Sequence, residues 1–241
     1  MFRSIVIFVS LFIIWQAMVT LCKLPPYILP SPSQVLLTLI NQSSVIAENA
    51  ITTIIETLIG FLLGTVFGFT AGLLITFFSP LALFFFPLLI VSQAIPTFAI
   101  APLFVIWFGY GLMSKIAIAI LMIFFPVTSA FYDGVRRTPQ GFLDLAHTMN
   151  ATKWRIFSKI HIPAALPALA SGIRIAAVVA PIGAIVGEWV GSSHGLGYLM
   201  LNANARMQID MMFAALIVTI ILALLLYFSV DKLLRMVIWW Q

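Results

Sequence analysis

Few residues in this chain have the type and spacing that chemistry requires. His147 and His161 lie in one polar stretch, residues 143–163, but they are fourteen positions apart without a third ligand nearby, so no metal site is expected. Cys22 is the single cysteine, which excludes an internal disulfide. No polar catalytic cluster is evident, and the phosphate-binding pattern G-x-x-x-x-G-K-[ST] is missing. We therefore expect no catalytic residues, no bound metal and no ATP hydrolysis by this chain.

The polar stretch instead has the features of a docking element. Phe142, Leu145, Ala146 and Met149 recur at the i, i+3, i+4 and i+7 spacing of one helix face. An apolar stripe on a helix too short to bury it is typical of binding into a partner's groove. A solvated connector and a DNA-binding helix-turn-helix are the alternatives. The DNA-binding alternative is disfavoured, because the apolar segments on both sides of this stretch would hold it against a membrane.

The ends of this element can be predicted from local rules. Thr138 is a suitable helix cap and Pro139 suits a first helical position. Asn150 favours the left-handed turn that ends a helix, and Thr152 can cap the next one. Pro163 is expected to separate that second helix from the following apolar segment. The pattern predicts two short helices joined by a sharp turn at Asn150.

Three ionisable residues lie within apolar segments, where charge is costly and function is a reasonable hypothesis. Glu56 and Glu188 are expected near the outer side and Arg174 nearer the inner side. Snorkelling or a hydrogen bond to a neighbouring helix is the favoured interpretation of both glutamates, and Arg174 can reach the inner headgroups. The functional alternative places Glu188 and Trp189 at the outer opening of a path across the membrane. Trp189 is equally typical of an interfacial anchor.

A second candidate path region follows from prolines. Pro87, Pro96 and Pro102 interrupt an apolar segment, with Gln93 and Thr97 near the second of them. Irregular backbone at membrane depth is tolerated where it meets protein or a cavity. Gln93, Pro96 and Thr97 are therefore candidates for lining a path, and a kink without substrate contact is the alternative.

Composition determines which solvent surrounds these residues. The chain has 241 residues, of which 63% are hydrophobic and only 8% charged, against roughly 25% charged in soluble domains. Such a chain cannot cover a water-facing surface, so we expect a membrane protein. The lack of period-two alternation favours an all-α bundle over a barrel.

Six transmembrane helices are predicted, with a proline-rich loop and a short surface helix from about Ser33 after the first. The first could alternatively be a signal peptide. Residues 191–210 are predicted to form a loop, with a re-entrant segment as the alternative. The predicted spans are residues 4–22, 49–78, 81–108, 114–132, 164–190 and 211–228.

The basic residues predict the orientation. With six spans, both termini and the polar insert share one side. That side holds Arg3, Arg136, Arg137, Lys153, Arg155, Lys159, Lys232 and Arg235, whereas the other holds Lys23, Lys115 and Arg206. The excess places both termini and the insert in the cytoplasm.

Glycine stripes indicate close helix packing. They comprise Gly60, Gly64, Gly68 and Gly72 in the second span and Gly183, Gly187 and Gly191 in the fifth. Small residues let helix backbones approach in lipid. Packing within one subunit is favoured over a dimer seam or a pore-lining face.

The polar stretch resembles the signature of inner-membrane subunits of binding-protein-dependent ABC importers. The family pattern is Glu-Ala-Ala, three residues, Gly, nine residues and Ile-x-Leu-Pro. Here Asp144-Leu145-Ala146 stands first, Asn150 takes the Gly position, and Ile160-His161-Ile162-Pro163 follows at the family spacing. The differences are Asp for Glu, Leu for Ala, Asn for Gly and Ile for Leu.

The resemblance extends from about Asn49 to the C-terminus. QAIPTFAIAPLFVIWFGYG and GEWVGSSHGLGYLM are similar to permeases for sulfonates, nitrate and thiamine precursors. Within that branch, PIGAIVGEWVGSSHGLGYLMLNANARMQIDMMFAAL is most similar to permeases for hydroxymethylpyrimidine-type precursors. It implies a five-helix permease core at 49–241 with a coupling insert at 138–163, preceded by an extra span and periplasmic loop at 1–48.

The resemblance also implies the partners. They are a separate ABC ATPase that holds ATP and Mg, a periplasmic binding protein, and a second permease subunit, in a homodimer within the bacterial inner membrane, with no nucleic acid. The residues implied in ATPase coupling are Phe142, Asp144, Leu145, Ala146, Met149, Asn150, Trp154, Ile160 and Pro163.

Other substrates and another class of transporter remain open. Aliphatic sulfonates, taurine, nitrate and riboflavin are alternatives to a formylaminopyrimidine- or hydroxymethylpyrimidine-type cargo. An ion-coupled secondary transporter would be expected to carry midplane acids or an internal repeat. Neither is clear in the sequence.

Overall fold

The computed structural model describes the backbone of residues 2–240, and their side chains except those of residues 2–9, 11, 79 and 81. Within this part of the chain every regular element is helical, which confirms the all-α expectation. The helices are α1 (Phe2–Leu21), α2 (Pro32–Asn41), α3 (Ser43–Phe77), α4 (Ser79–Ala94), α5 (Thr97–Phe108), α6 (Leu112–Arg136), α7 (Gln140–Thr148), α8 (Lys153–Ile156), α9 (Ile162–Gly191), α10 (Leu196–Ala205) and α11 (Ile209–Val237).

Four continuous helices of the described chain are long and apolar enough to cross a membrane. They are α3, α6, the helix that runs from α8 through α9, and α11. The pair α4 and α5 adds a fifth if both halves form one broken span. Seven of the nineteen residues of the predicted span at 4–22 lie outside the described side chains, and Phe12–Leu21 alone is short for a span. The count of six therefore stays a prediction.

The predicted span at 81–108 is two helices bent by 103°. The bend lies at Ile95 and Pro96, where Ile95 is extended with ψ of 121° because the proline ring disfavours a helical residue before it. Pro87 and Pro102 lie inside α4 and α5 without breaking them. The expectation that Pro87 and Pro102 also interrupt the segment was wrong.

Helix α6 lies in the middle of the bundle, between two glycine-bearing faces. A Cβ added at Gly60 would lie 2.6 Å from Cβ of Ala119, and one at Gly183 would lie 2.8 Å from Cα of the same alanine. The rest of the α3 stripe continues down the same face to Gly72, which meets Phe131. Thr128 adds a hydrogen bond of 2.9 Å to the carbonyl of Gly68. The stripes thus pack within one chain, as the intrasubunit interpretation expects.

At one end of the bundle, α8 continues into α9 through a π-helical turn at Phe157–His161. The N–H of Ile162 reaches back five residues to the carbonyl of Phe157. Pro163 has no N–H to donate, and it occupies the start of α9, where helices tolerate proline. Pro163 therefore does not separate two helices. The predicted two-helix insert is α7 followed by the extended start of a span.

At the other end, two short helices cover the bundle. In α2, Ser31 and Gln34 form a reciprocal capping box, and Val35 is fully buried. The segment predicted as a loop at 191–210 contains α10, which packs on α3, α9 and α11. Gly195 and Gly197 have no side chain, which permits the start of α10 to lie close against Glu188.

Candidate functional site

Helix α7 protrudes from the bundle and presents an apolar face. Phe142 and Leu145 are each 58% exposed and Met149 is 73% exposed, whereas Ala146 is buried. The predicted stripe is thus split, with one small residue facing the protein and three large ones facing outward. An unpartnered apolar face of this kind is suited to a protein groove.

The conformation of Asn150 ends this helix. Its φ of 53° is left-handed, as predicted, and the N–H of Ala151 then donates to the carbonyl of Ala146 at 2.9 Å. Thr152 accepts a bond from the N–H of Arg155 at 3.4 Å, which confirms its capping role. The chain therefore reverses sharply between α7 and α8.

The start of α7 differs from the expectation. Thr138 is not the cap: its hydroxyl donates to the carbonyl of Val135 at 2.7 Å and lies 3.1 Å from Nδ1 of His161. Pro139 lies one position before the helix, which begins at Gln140. Thr138 thus connects the segment before α7 to the π-helical turn.

Aromatic rings fix the segment that follows α7. Trp154 packs edge-on against Phe77 with centroids 5.8 Å apart, and Phe157 packs on the same ring at 5.2 Å. Phe77 is the last residue of α3. The segments on either side of α7 are therefore in contact with α3, α6 and the start of α9. Of the other predicted coupling residues, Asp144 is exposed, and Ile160 and Pro163 are half-buried in and after the π-helical turn.

An open cavity of about 710 Å³ lies in the elbow between α4 and α5, against α6 and α9. Gln93, Pro96 and Thr97 line it, as the path hypothesis requires of them. The sequence interpretation missed the opposite wall, which includes Phe125, Ser129, Asp133, Ile175 and Val179. Ser129 and Asp133 are four positions apart on α6, a spacing that indicates a shared polar face.

Glu188 and Trp189 are not brought to this cavity. The Glu188 side chain is 1% exposed, accepts a bond from Thr53 at 2.6 Å, and accepts another from the N–H of Gly197 at 2.5 Å. Trp189 is 47% exposed on the bundle surface. Among the described residues, their predicted path role thus has no support from the cavity.

Glu56 belongs to the same buried region. It is 2% exposed, and its Oε1 lies 2.5 Å from Nζ of Lys115, which also donates to Oγ of Ser192 at 2.7 Å. Both glutamates bond to neighbouring helices, which is one of the two options in the favoured interpretation, and neither snorkels because both are buried. Lys115 was predicted only to belong to the outer side, and its side chain is buried there at 5% exposure.

Arg174 also has a protein partner. Its Nε lies 2.7 Å from Oδ1 of Asp231, whose other oxygen accepts from Arg235 at 2.9 Å. The pair joins α9 to α11, so the suggested reach of Arg174 to headgroups is replaced by an ion pair between spans.

Comparison with known proteins places this geometry in a family. Residues 64–238 match the model of the binding-protein-dependent transport system inner membrane component. A probable ABC transporter permease of Haemophilus influenzae is 52% identical over 95% of this chain and 94% of its own length. The formylaminopyrimidine transport permease ThiX of Halalkalibacterium halodurans is 35% identical over 97% and 94%, respectively. The riboflavin permease RibX of Chloroflexus aurantiacus is 36% identical over 96% and 87%.

Solved structures agree on the fold. A chain of the MetNI methionine ABC transporter, in an inward-facing conformation, superposes with a TM-score of 0.70 at 20% identity, covering 82% of this chain and 98% of that one. The chain belongs to the family of binding-protein-dependent ABC transporter permeases.

Proposed function

We propose that this permease is the membrane subunit of an ATP-driven importer whose energy arrives through α7. The observation that carries the proposal is the exposed face of Phe142, Leu145 and Met149 on α7. The segments on either side of this helix contact three spans. A separate ABC ATPase, which binds ATP and Mg, would receive this face in a groove. Closure of two such ATPase subunits would move α7, and the spans would follow.

The elbow cavity is the proposed translocation path. It is open on the surface of one chain, and exposed apolar side chains such as Phe84, Leu88 and Trp107 lie on the adjoining helices α4 and α5. A second copy of this permease would cover that surface and close the cavity into a path. Alternating access would then expose the cavity outward when ATP is bound and inward after hydrolysis.

The proposed cargo is a small polar molecule delivered by a periplasmic binding protein, of the thiamine pyrimidine precursor class. The similarity to ThiX over nearly the whole chain supports this class. The cavity supports a small polar cargo, because Gln93, Thr97 and Ser129 offer hydrogen bonds and Phe125 lines the same cavity. Riboflavin is the second candidate, supported by the similarity to RibX.

The proposed location is the bacterial inner membrane, with both termini and α7 in the cytoplasm. Seven basic residues of the described side chains belong to the end that carries α7: Arg136, Arg137, Lys153, Arg155, Lys159, Lys232 and Arg235. An excess of Lys and Arg is typical of the cytoplasmic side.

Transport by reconstituted vesicles tests this proposal. The permease is combined with the proposed ATPase and binding protein, and uptake of labelled formylaminopyrimidine is followed with ATP or with a proton gradient alone. Uptake that requires ATP and the binding protein is expected. Uptake driven by the gradient without ATP would instead support an ion-coupled secondary transporter.

A further inference from the structure

A polar pocket of about 530 Å³ lies between α9 and α11, at the end of the bundle that carries α7. Its described lining comprises Arg174 of α9 and, from the C-terminal part of the chain, Tyr227, Asp231, Arg235, Ile238 and Trp239. It shares no described lining residue with the elbow cavity or with the exposed face of α7. The proposed function therefore gives this pocket no role.

Asp231 holds two guanidinium groups in place within the pocket. Its Oδ1 lies 2.7 Å from Nε of Arg174, and its Oδ2 lies 2.9 Å from Nε of Arg235. Both carboxylate oxygens are thus engaged, and the two cations of the described lining exceed its single anion by one charge. An excess of positive charge favours an anionic ligand, and a guanidinium can match two phosphate oxygens with parallel hydrogen bonds.

Arg235 is well placed to bind such an anion. Its side chain remains 74% exposed although its Nε is engaged, so its terminal nitrogens can still donate. Tyr227 lines the same pocket about two turns earlier on α11 and adds a hydroxyl group. Because Asp231 already orients Arg235, the site loses less conformational freedom on binding than an unrestrained side chain would.

The surroundings of the pocket indicate which kind of anion fits. Phe228 and Val237 of α11 are exposed apolar residues, and the exposed rings of Trp239 and Trp240 follow the helix. Exposed apolar side chains on a spanning helix suit acyl chains, and tryptophan is enriched at the level of the lipid headgroups. A ligand that combines a phosphate with acyl chains would contact both regions. A soluble anion or an acidic protein segment would leave the apolar side uncovered.

We infer that this pocket binds the phosphate group of an anionic phospholipid from the leaflet on the α7 side. Arg235 donates to the phosphate oxygens, and Asp231 is the positioning residue that holds Arg235 beside Arg174. Basic pockets between spans on the cytoplasmic side suit lipid headgroups. Because the pocket lies between α9 and α11, the bound lipid stabilises the contact between these two spans. The inference adds a ligand that the proposed function does not require.

The test is a lipid titration of the purified full-length permease in dodecyl maltoside, with the melting temperature as the readout. Dioleoylphosphatidylglycerol should raise the melting temperature of the wild type, since a ligand that binds only the folded state stabilises it. Dioleoylphosphatidylcholine has the same acyl chains without the net charge and should raise it far less. Glycerol phosphate, which lacks the acyl chains, should also raise it far less.

Substitutions locate the effect. In Arg235→Gln, the phosphatidylglycerol concentration for half-maximal stabilisation should rise at least about tenfold, because charge-assisted bonds to the phosphate are lost. Arg235→Lys should recover part of this loss. Lys232→Gln is the matched control, since Lys232 is an exposed cation of the same turn of α11 but lies outside the described lining. Its half-maximal concentration should stay near that of the wild type. Each shift is measured from the melting temperature of the same variant without lipid.

Four outcomes overturn the inference. Equal stabilisation by phosphatidylcholine would show that the headgroup charge is not recognised. Equal stabilisation by glycerol phosphate would make the pocket a site for soluble anions. An unchanged half-maximal concentration in Arg235→Gln would place lipid binding elsewhere, and an equal rise in Lys232→Gln would indicate diffuse attraction. None of these measurements involves transport, so failure of the inference and failure of the proposed function are distinguishable.

Discussion

Lys115 of α6 and Glu56 of α3 form a salt bridge of 2.5 Å in which both side chains are almost fully buried. Its ammonium also holds Ser192, whose hydroxyl donates to the carbonyl of His194. The segment after α9 is thereby attached to the central helix of the bundle. This attachment lies beside the contact of Glu188 with the start of α10, so the outer helices are joined to the spans by buried polar groups.

Replacement of Lys115 by methionine should destabilise the fold. Glu56 would remain buried without its partner, and breaking a buried ion pair by removing one member costs about 3–5 kcal/mol. Thermal unfolding of the purified protein in detergent measures the effect. The exposed Lys232→Met is the control, and the double variant Lys115→Met with Glu56→Leu should recover much of the loss. Equal melting temperatures for Lys115→Met and the wild type would contradict the role of the pair.

Removal of the Glu188 carboxylate should loosen α10. Glu188→Ala leaves the N–H of Gly197 without its acceptor and frees the hydroxyl of Thr53. Faster hydrogen exchange is expected at residues 195–197, with little change in α6. Glu48→Ala removes an exposed acid from the same end of α3 and serves as the control. If exchange at α10 stays at the wild-type rate, these bonds do not hold the helix.

A larger residue at Gly60 should separate α3 from α6. A Cβ at this position would already lie 2.6 Å from Ala119, which has Gly183 on its other side and cannot withdraw. Overpacking of this kind costs about 1–3 kcal/mol, so Gly60→Val should lower the melting temperature. Gly141→Val is the matched control, because an added Cβ there meets nothing within 4 Å. A similar effect of both variants would argue against a tight α3–α6 contact.

Local rules predicted the parts of the structure that depend on neighbours in sequence. Asn150 adopts the left-handed turn and Thr152 caps α8 because short side chains satisfy nearby backbone groups. The glycine stripes were equally predictable as packing faces, since spacing alone places them on one side of a helix. Their partner helix, α6, has no comparable signal.

Contacts between distant segments could not be predicted from one sequence. Glu56 and Lys115 are 59 positions apart, and nothing local distinguishes a paired lysine from an interfacial one. Pro163 was read as a helix boundary because proline usually ends a helix, but the preceding π-helical turn accommodates it. Helix α10 was missed because its start depends on acceptors from α3 and α9, not on a cap of its own.

A bulky residue in the elbow cavity should block transport. Thr97→Trp would occupy part of the space between α5 and α6, so uptake by reconstituted vesicles is expected to fall at least about tenfold if the cavity is the path. Leu83→Trp is the control, because Leu83 is 77% exposed and lies outside the cavity lining. Normal uptake by Thr97→Trp would exclude this cavity as the route.

An acidic residue on the exposed face of α7 should uncouple the transporter. Leu145→Asp places a charge in the proposed ATPase contact, so ATP-driven uptake should be lost while membrane insertion is retained. Asn150→Pro should have the same effect, since proline cannot adopt the left-handed turn. Gly141→Asp adds the same charge to the first turn of α7, where it is favourable and meets no neighbour. Loss of uptake in Gly141→Asp as well would remove the distinction between the two faces.

The accessibility of Leu145 in the assembled transporter tests the central claim most directly. Leu145→Cys is made in a Cys22→Ser background, because Cys22 is the only native cysteine, and its reaction with a water-soluble maleimide is timed with and without the ATPase. We predict rapid labelling of the permease alone and strong protection in the complex. Equal labelling rates in both states would show that this face of α7 does not meet the ATPase and would contradict the account.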